Sequence, residues 1–208
     1  MIHFRRPHFA RTRPSLSHVN SLLLVAIVLI NGYIIAAPIA PAISFWWSEH
    51  THHTSQKLSQ QLHAPASKPT GSTPAPQGNR LVIPSMQLDA EVFDGTSIYT
   101  LNKGLWHRPN SSTPDKGGNT VIAGHRFTYT NPHGILYYLD KVSVGDELGV
   151  YWNNTRYLYK VSEVKVVEPT AVQIEDNTAD ARLTIYTCTP LWSPHQRLVV
   201  IAKLESKS

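Results

Sequence analysis

Residues 182–204 read RLTIYTCTPLWSPHQRLVVIAKL, and this stretch decides how the chain is read. RLTIYT and RLVVIAKL are dominated by β-branched, aromatic and aliphatic residues, and the segment between them holds two prolines. Two strands flanking a loop are the simplest reading. Cys188, the only cysteine in 208 residues, falls where the first strand ends. Thr189-Pro190 follows at once, and proline, which has no N–H to give a ladder, marks where the chain leaves the sheet. If the two strands pair, Arg197 at the start of the second returns beside Cys188.

Segments of the same kind recur upstream. They are RLVIP (80–84), AEVF (90–93), NTVIAG (119–124), ELGVYW (147–152) and TRYLYKVSEVKVVE (155–168). Asn153-Asn154 joins the last two, and two such residues suit a tight hairpin turn. Short helical turns are expected near 135–140 and 170–173, and no long amphipathic helix is visible. Many short strands punctuated by Gly, Pro and Asn predict one all-β domain over 79–208, a barrel or a sandwich.

The N-terminal part differs. Arg5, Arg6, Arg11 and Arg13 precede an apolar run, and no acid appears before Glu49. These four charges make up +4 of the formal +5, which leaves +1 for the remainder. The basic balance is therefore a topology signal and not a nucleic-acid footprint. The expected organisation is a basic cytoplasmic tail (1–20), a transmembrane anchor (21–47), a flexible extracytoplasmic linker (48–78) and the folded domain (79–208). The best helix within the anchor is expected over 22–37, fraying toward Pro38 and Pro41. Trp46 and Trp47 suit the far interface, and the arginines should stay cytoplasmic. A cleaved signal peptide is the rival, with small residues at Ala36, Ala37 and Ala40; the length of the apolar run favours the anchor. The linker is rich in Ser, Thr, Gln, Pro and His, a composition that buries little surface. Around His50, His52 and His53 no acid or cysteine stands at a recognisable metal-ligand spacing.

A lone extracytoplasmic thiol has no disulfide partner in its own chain. Placed at a strand end it reads as a candidate nucleophile, which needs a base or imidazolium nearby. His107, His125, His133 and His195 are the histidines of the folded part. His125, in AGHR, sits just past an apolar strand, at a strand-to-loop junction like that of Cys188. His195 is near in sequence but in a loop, and His107 precedes a proline turn where it could line a pocket. Arg197 offers a fixed fork of donors to a developing oxyanion. Arg126 is the alternative, but strand alternation turns it away from His125.

These residues carry a resemblance to the sortases, membrane-anchored cysteine transpeptidases of bacterial surfaces. The signature Thr-Leu-x-Thr-Cys stands here as residues 184–188, TIYTC, with Ile185 in place of leucine. Arg197 in HQRLVV and His125 in GNTVIAGHR match the family's arginine and histidine segments. The likeness runs over about 80–204 and is nearest to the class E and class D housekeeping types; no second apolar segment or lid motif of the pilin-polymerising kind is visible. It implies a closed eight-stranded β-barrel preceded by a transmembrane helix. It implies catalysis by Cys188, His125 and Arg197, with Thr187, Tyr186 and His107 toward the substrate. Cleavage of an LPXTG-like sorting signal between Thr and Gly is expected, through a thioacyl-enzyme, followed by transfer to an amine of the cell envelope. The implied partners are surface proteins with a C-terminal sorting signal, a cell-wall precursor or other amine acceptor, and the membrane. No nucleic acid, cofactor or metal is expected: Glu163, Glu168, Glu175 and Asp176 read as solvated charges. A hydrolytic cysteine endopeptidase and a non-catalytic tethered binding module remain the alternatives.

Overall fold

The computed structural model describes residues 16–51, 53–64, 78–128, 134–191 and 193–208. The chain forms two compact units, Met1–Trp47 and Ser48–Ser208.

The first unit is carried by a helix, α1 (Leu16–Thr51), which runs on past the unit's end. Its apolar span is Ser17–Ala36, with a mean hydropathy of 2.2 and no buried residue. Two polar side chains inside the span return to their own helix: Asn31 Nδ2 donates to Ile27 O at 2.8 Å and Ser21 Oγ to Ser17 O at 3.0 Å. Such bonds keep polar groups satisfied where water is scarce. The helix continues through Pro38 and Pro41 instead of fraying there. Each proline removes the backbone bond its nitrogen would have donated and crowds the carbonyl four residues back, yet the helix runs on through both.

The second unit is a closed barrel of eight strands: β1 (Arg80–Ile83), β2 (Leu88–Asp94), β3 (Leu105–His107), β4 (Asn119–Ala123), β5 (Glu147–Trp152), β6 (Thr155–Val167), β7 (Arg182–Thr189) and β8 (Gln196–Lys207). Around the barrel the order is β1-β2-β3-β4-β7-β8-β6-β5. The pairs are antiparallel except β2–β3 and β4–β7. Closure leaves no edge strand. The interior is filled by alternate residues of each strand, among them Leu81, Ile83, Ile122, Leu148, Val150, Leu183, Ile185, Leu198 and Val200. Asn153 and Asn154 both take positive φ, 48° and 62°, as the expected β5–β6 turn requires. The expected helical turns appear slightly downstream, at Leu139–Lys141 and Val172–Glu175. β3, only three residues long, has too little pattern to be visible in the sequence.

The expectation of a structureless linker is corrected over part of its length. A helix, α2 (His53–His63), folds onto the outside of the barrel. Leu58 and Leu62, four residues apart, are buried in a small cluster with Val82, flanked by Tyr151 and Leu158. Leu62 lies directly over Gly149, where any Cβ would collide with it. Arg156 Nη1 donates to Gln61 O at 3.1 Å and to Ala64 O at 2.7 Å, which satisfies carbonyls at the helix end. Ser55 Oγ bonds Pro84 O at 2.9 Å, and His63 Nε2 meets Glu147 Oε2 at 2.7 Å. Two leucines in a polar background gave no periodicity, yet a single i, i+4 pair is enough when a groove awaits it.

This docking predicts that a chain beginning at Gly78 is less stable than one beginning at Ser48. Burying a leucine is worth about 1.5–3 kcal/mol, and about 2–4 °C of melting temperature accompany each kcal/mol at this size. A fall of about 5 °C or more is expected by differential scanning calorimetry, with Leu62→Ala intermediate. Equal melting temperatures would mean that α2 is a passenger on the barrel.

Candidate active site

The pairing of three strands can be followed residue by residue. β7 alternates, with Leu183 and Ile185 in the core and Thr184, Tyr186 and Cys188 on the opposite face. β8 does the same, with Leu198, Val200 and Ala202 inward and Arg197 and Val199 outward. The two strands pair antiparallel with Cys188 opposite Arg197. Residues so paired carry Cβ atoms about 4.5–5.5 Å apart. Cys188 and Arg197 therefore project from directly opposed positions on the outer face. Cys188 is half-buried. Arg197 donates Nη1 to Gln196 O at 3.0 Å. It forms none of the ion pairs found among the described residues.

β4 lies on the other side of β7, parallel, with Ala123 opposite Tyr186. The register continues past the end of β4. Gly124 N donates to Tyr186 O at 3.3 Å. Thr187 Oγ1 donates to Gly124 O at 2.7 Å, and Arg126 Nη1 to Thr189 Oγ1 at 2.7 Å, both across 63 residues. The same step places His125 at the level of Cys188, on the parity of the outward residues. Leu136 N donates to His125 O at 3.0 Å. Gly134 packs so tightly on the His125 and Arg126 backbone that no Cβ fits there. Burial pushes the His125 imidazole below the usual histidine pKa. A cavity of about 400 Å³ opens beside His125, lined also by Leu101, Asn102, Lys103, Gly104, Thr128 and Ile135.

The other expected site residues are placed differently. His107 is buried, with Nδ1 on Asp94 Oδ1 at 2.7 Å and Nε2 on Ser112 O at 2.9 Å. Its ring stacks edge-on against Trp152, 5.1 Å between centroids. It is a brace between β2, β3 and the following turn, with neither nitrogen turned to a substrate. Thr187 is also buried and spends its hydroxyl on Gly124. Tyr186 shares the face of Cys188, but its hydroxyl donates to Glu175 Oε1 at 2.6 Å. Burial, then that bond and the carboxylate charge, hold the phenol protonated far above its usual range. His195 is exposed and bonded locally to Ser193 O. His133 lies outside the described residues.

Two clusters escaped the sequence reading. Glu175 is no solvated charge: it accepts from Tyr186 and from Arg108 Nε at 2.9 Å, while Arg108 lies 4.2 Å over the Trp106 ring. Arg126 does turn away from His125 as alternation requires, yet it is buried and triply bonded. Neither has a local pattern, because each joins residues dozens of positions apart.

The sortase domain profile matches residues 81–205. Sortase A of Listeria monocytogenes is 31% identical over 126 residues, 60% of this chain and 55% of that protein. Sortase SrtE1 of Streptomyces coelicolor is 27% identical over 180 residues, 76% of this chain and 50% of that protein. The chain thus spans about half the length of these curated relatives. The solved structure of Listeria monocytogenes sortase A superposes with a TM-score of 0.55 at 28% identity, covering 62% of this chain and 88% of that one. Sortase C1 of Streptococcus agalactiae superposes at 0.56 and 26%, covering 62% and 66%. With the profile spanning more than half of the chain and the closed barrel superposing on solved sortases, the chain belongs to the sortase family.

Proposed function

We propose that the chain is a membrane-anchored cysteine transpeptidase. It cleaves an LPXTG-like sorting signal between Thr and Gly and passes the acyl group to an amine of the cell envelope. The observation that carries the reading is the pairing of Cys188 with Arg197 on one outer face, with His125 two residues past the end of the neighbouring strand β4, whose register with β7 runs to Ala123 and Tyr186.

Cys188 Sγ, as thiolate, attacks the threonine carbonyl carbon. Arg197 donates to the oxygen as negative charge develops there. The C–N bond to glycine breaks, and the His125 imidazolium gives its proton to the leaving amine. In the second half an amine attacks the thioester, loses its proton to His125, and expels the thiolate. Water in place of the amine gives the endopeptidase outcome. The half-buried thiol, opposite an arginine that joins no ion pair among the described residues, favours an enzyme over a binding module, which has no use for an oxidisable sulfur.

The test is cleavage of a fluorescent sorting peptide by the full chain in detergent, with and without triglycine. Cys188→Ala should abolish cleavage and transfer. His125→Ala should lower kcat/KM by about 10²–10⁴-fold. Arg197→Lys keeps the charge but not the fork, and a loss of about 10²–10³-fold is expected. His195→Ala and His107→Ala should lose far less than His125→Ala. An inactive His195→Ala beside an active His125→Ala would move the base into the β7–β8 connection.

The pH profile follows from the burial of His125. The active form carries thiolate and imidazolium together, so the rate is bell-shaped. With the neutral pair as the main resting form, the acid limb marks loss of the first proton from the doubly protonated pair, and the lowered imidazole pKa moves that limb downward. The alkaline limb falls as the imidazolium is no longer formed with the thiolate. A rate that plateaus at high pH would refute a required imidazolium.

Residues 1–20 are proposed to be cytoplasmic and the barrel extracytoplasmic. Protease added to intact, wall-stripped cells should digest the barrel; protection until lysis would reverse the orientation.

A further inference from the structure

We propose that Arg126 is a positioning residue that sets the spacing between Cys188 and His125 by tying their next neighbours together. The inference rests on the role proposed above for that pair.

Arg126 follows His125, and Thr189 follows Cys188. Arg126 Nη1 donates to Thr189 Oγ1 at 2.7 Å. Arg126 is only 6% exposed, and the other nitrogens of its guanidinium are also engaged. Nε donates to Tyr137 O at 3.3 Å, and Nη2 meets Asp140 Oδ2 at 3.1 Å. One planar cation thus joins the end of β7, the 137 carbonyl and the turn at Leu139–Lys141.

The location gives the bond its consequence. β4 ends at Ala123, two residues before His125. Gly124 N to Tyr186 O, 3.3 Å long, carries the backbone pairing one residue beyond β4, and side-chain bonds continue it. Thr187 to Gly124 holds them one residue before the His125 level, and Arg126 to Thr189 holds them one residue after it. His125 and Cys188 are bracketed. By alternation both braces lie on the side away from the thiol, so Arg126 touches no reacting atom. Asp140 balances its charge, which leaves geometry as its means of action. A buried cation is a costly way to fill space that an apolar side chain fills as well; its fork and fixed plane suit a three-way joint.

The experiment compares Thr189→Val, which keeps the shape and removes the acceptor, with Thr189→Ser, which keeps it, and with Arg126→Lys. All are full chains in detergent. Thr189→Val and Arg126→Lys should each lower kcat for peptide cleavage by about ten-fold, with KM within about two-fold. Thr189→Ser should stay within about two-fold of the parent in both. The double variant should be no worse than the poorer single one, since both break one joint. Melting temperatures identify any variant that fails to fold, and the remaining one decides. A Thr189→Val kcat equal to that of Thr189→Ser overturns the proposal. Alkylation of Cys188 by iodoacetamide across pH needs no substrate and separates this proposal from the transpeptidase reading. If the parent cleaves no sorting peptide, the reading of function fails, and the joint stands only if the Thr189→Val profile moves from the parent's toward that of His125→Ala. Coincidence of the His125→Ala profile with the parent's would mean there is no pairing to position, and the proposal falls with it.

Discussion

Strand β7 is held in one register on both sides, and the rest of the site follows from that. A slip of one residue would turn Cys188 into the barrel and expose Ile185 and Thr187. The register is fixed first by packing, since Leu183 and Ile185 fill the core. It is fixed again by polar groups with no other solution. Asn119, at the start of β4, accepts from Thr184 Oγ1 at 2.7 Å. Its Nδ2 donates to Ile174 O at 3.0 Å and to Asp176 O at 2.9 Å. A buried amide so fully satisfied tolerates one arrangement only, because any shift leaves a polar atom unpaired in low dielectric. Asn119 pins the beginning of the β4–β7 pair, and Thr187 with Gly124 pins its end.

The strands were legible because the barrel has one apolar and one wetter face, which writes period-two patterning into the sequence. The juxtaposition of Cys188 and Arg197 was legible for the same reason. Two strands joined by a loop must pair antiparallel, and counting back from the loop puts the residues together. His125 was legible only as a position at a strand end. That β4 lies parallel beside β7 is a fact of topology, written in no local pattern. The misreadings share that cause. His107 looked available because Asp94 and Ser112 are brought to it by the fold. Glu175 looked solvated because Tyr186 and Arg108 come from other elements. The helix α2 was missed because its stability belongs to the groove over Gly149 and Val82, and hardly to its own sequence.

The contacts outside the barrel also bear on the site. The connection between β6 and β7 is attached at Asn119 and again through Glu175, Tyr186 and Arg108. Glu168 accepts from Gln196, so the far end of β6 is bonded to the residue before Arg197. The walls around the outer face of β7 and β8 are therefore tied to the strands that present the thiol and the guanidinium. Isolated surface pairs contribute little, but a shared carboxylate with a bonded phenol and a stacked guanidinium acts as a network.

The proposed chemistry asks different things of its three groups, and their mounting differs in the same sense. The nucleophile and the oxyanion donor must hold one geometry through both half-reactions, and both stand on paired strands. The proton carrier must meet a leaving amine and then an incoming one. His125 stands just beyond its strand, backed by Leu136 and Gly134 and open on one side to a cavity. A residue beyond the ladder gains access at the cost of precision. Braces one residue before and one residue after it restore precision without covering the imidazole. Partial burial then keeps the ring neutral more often than free histidine would be, so the proposed chemistry draws on a smaller imidazolium fraction.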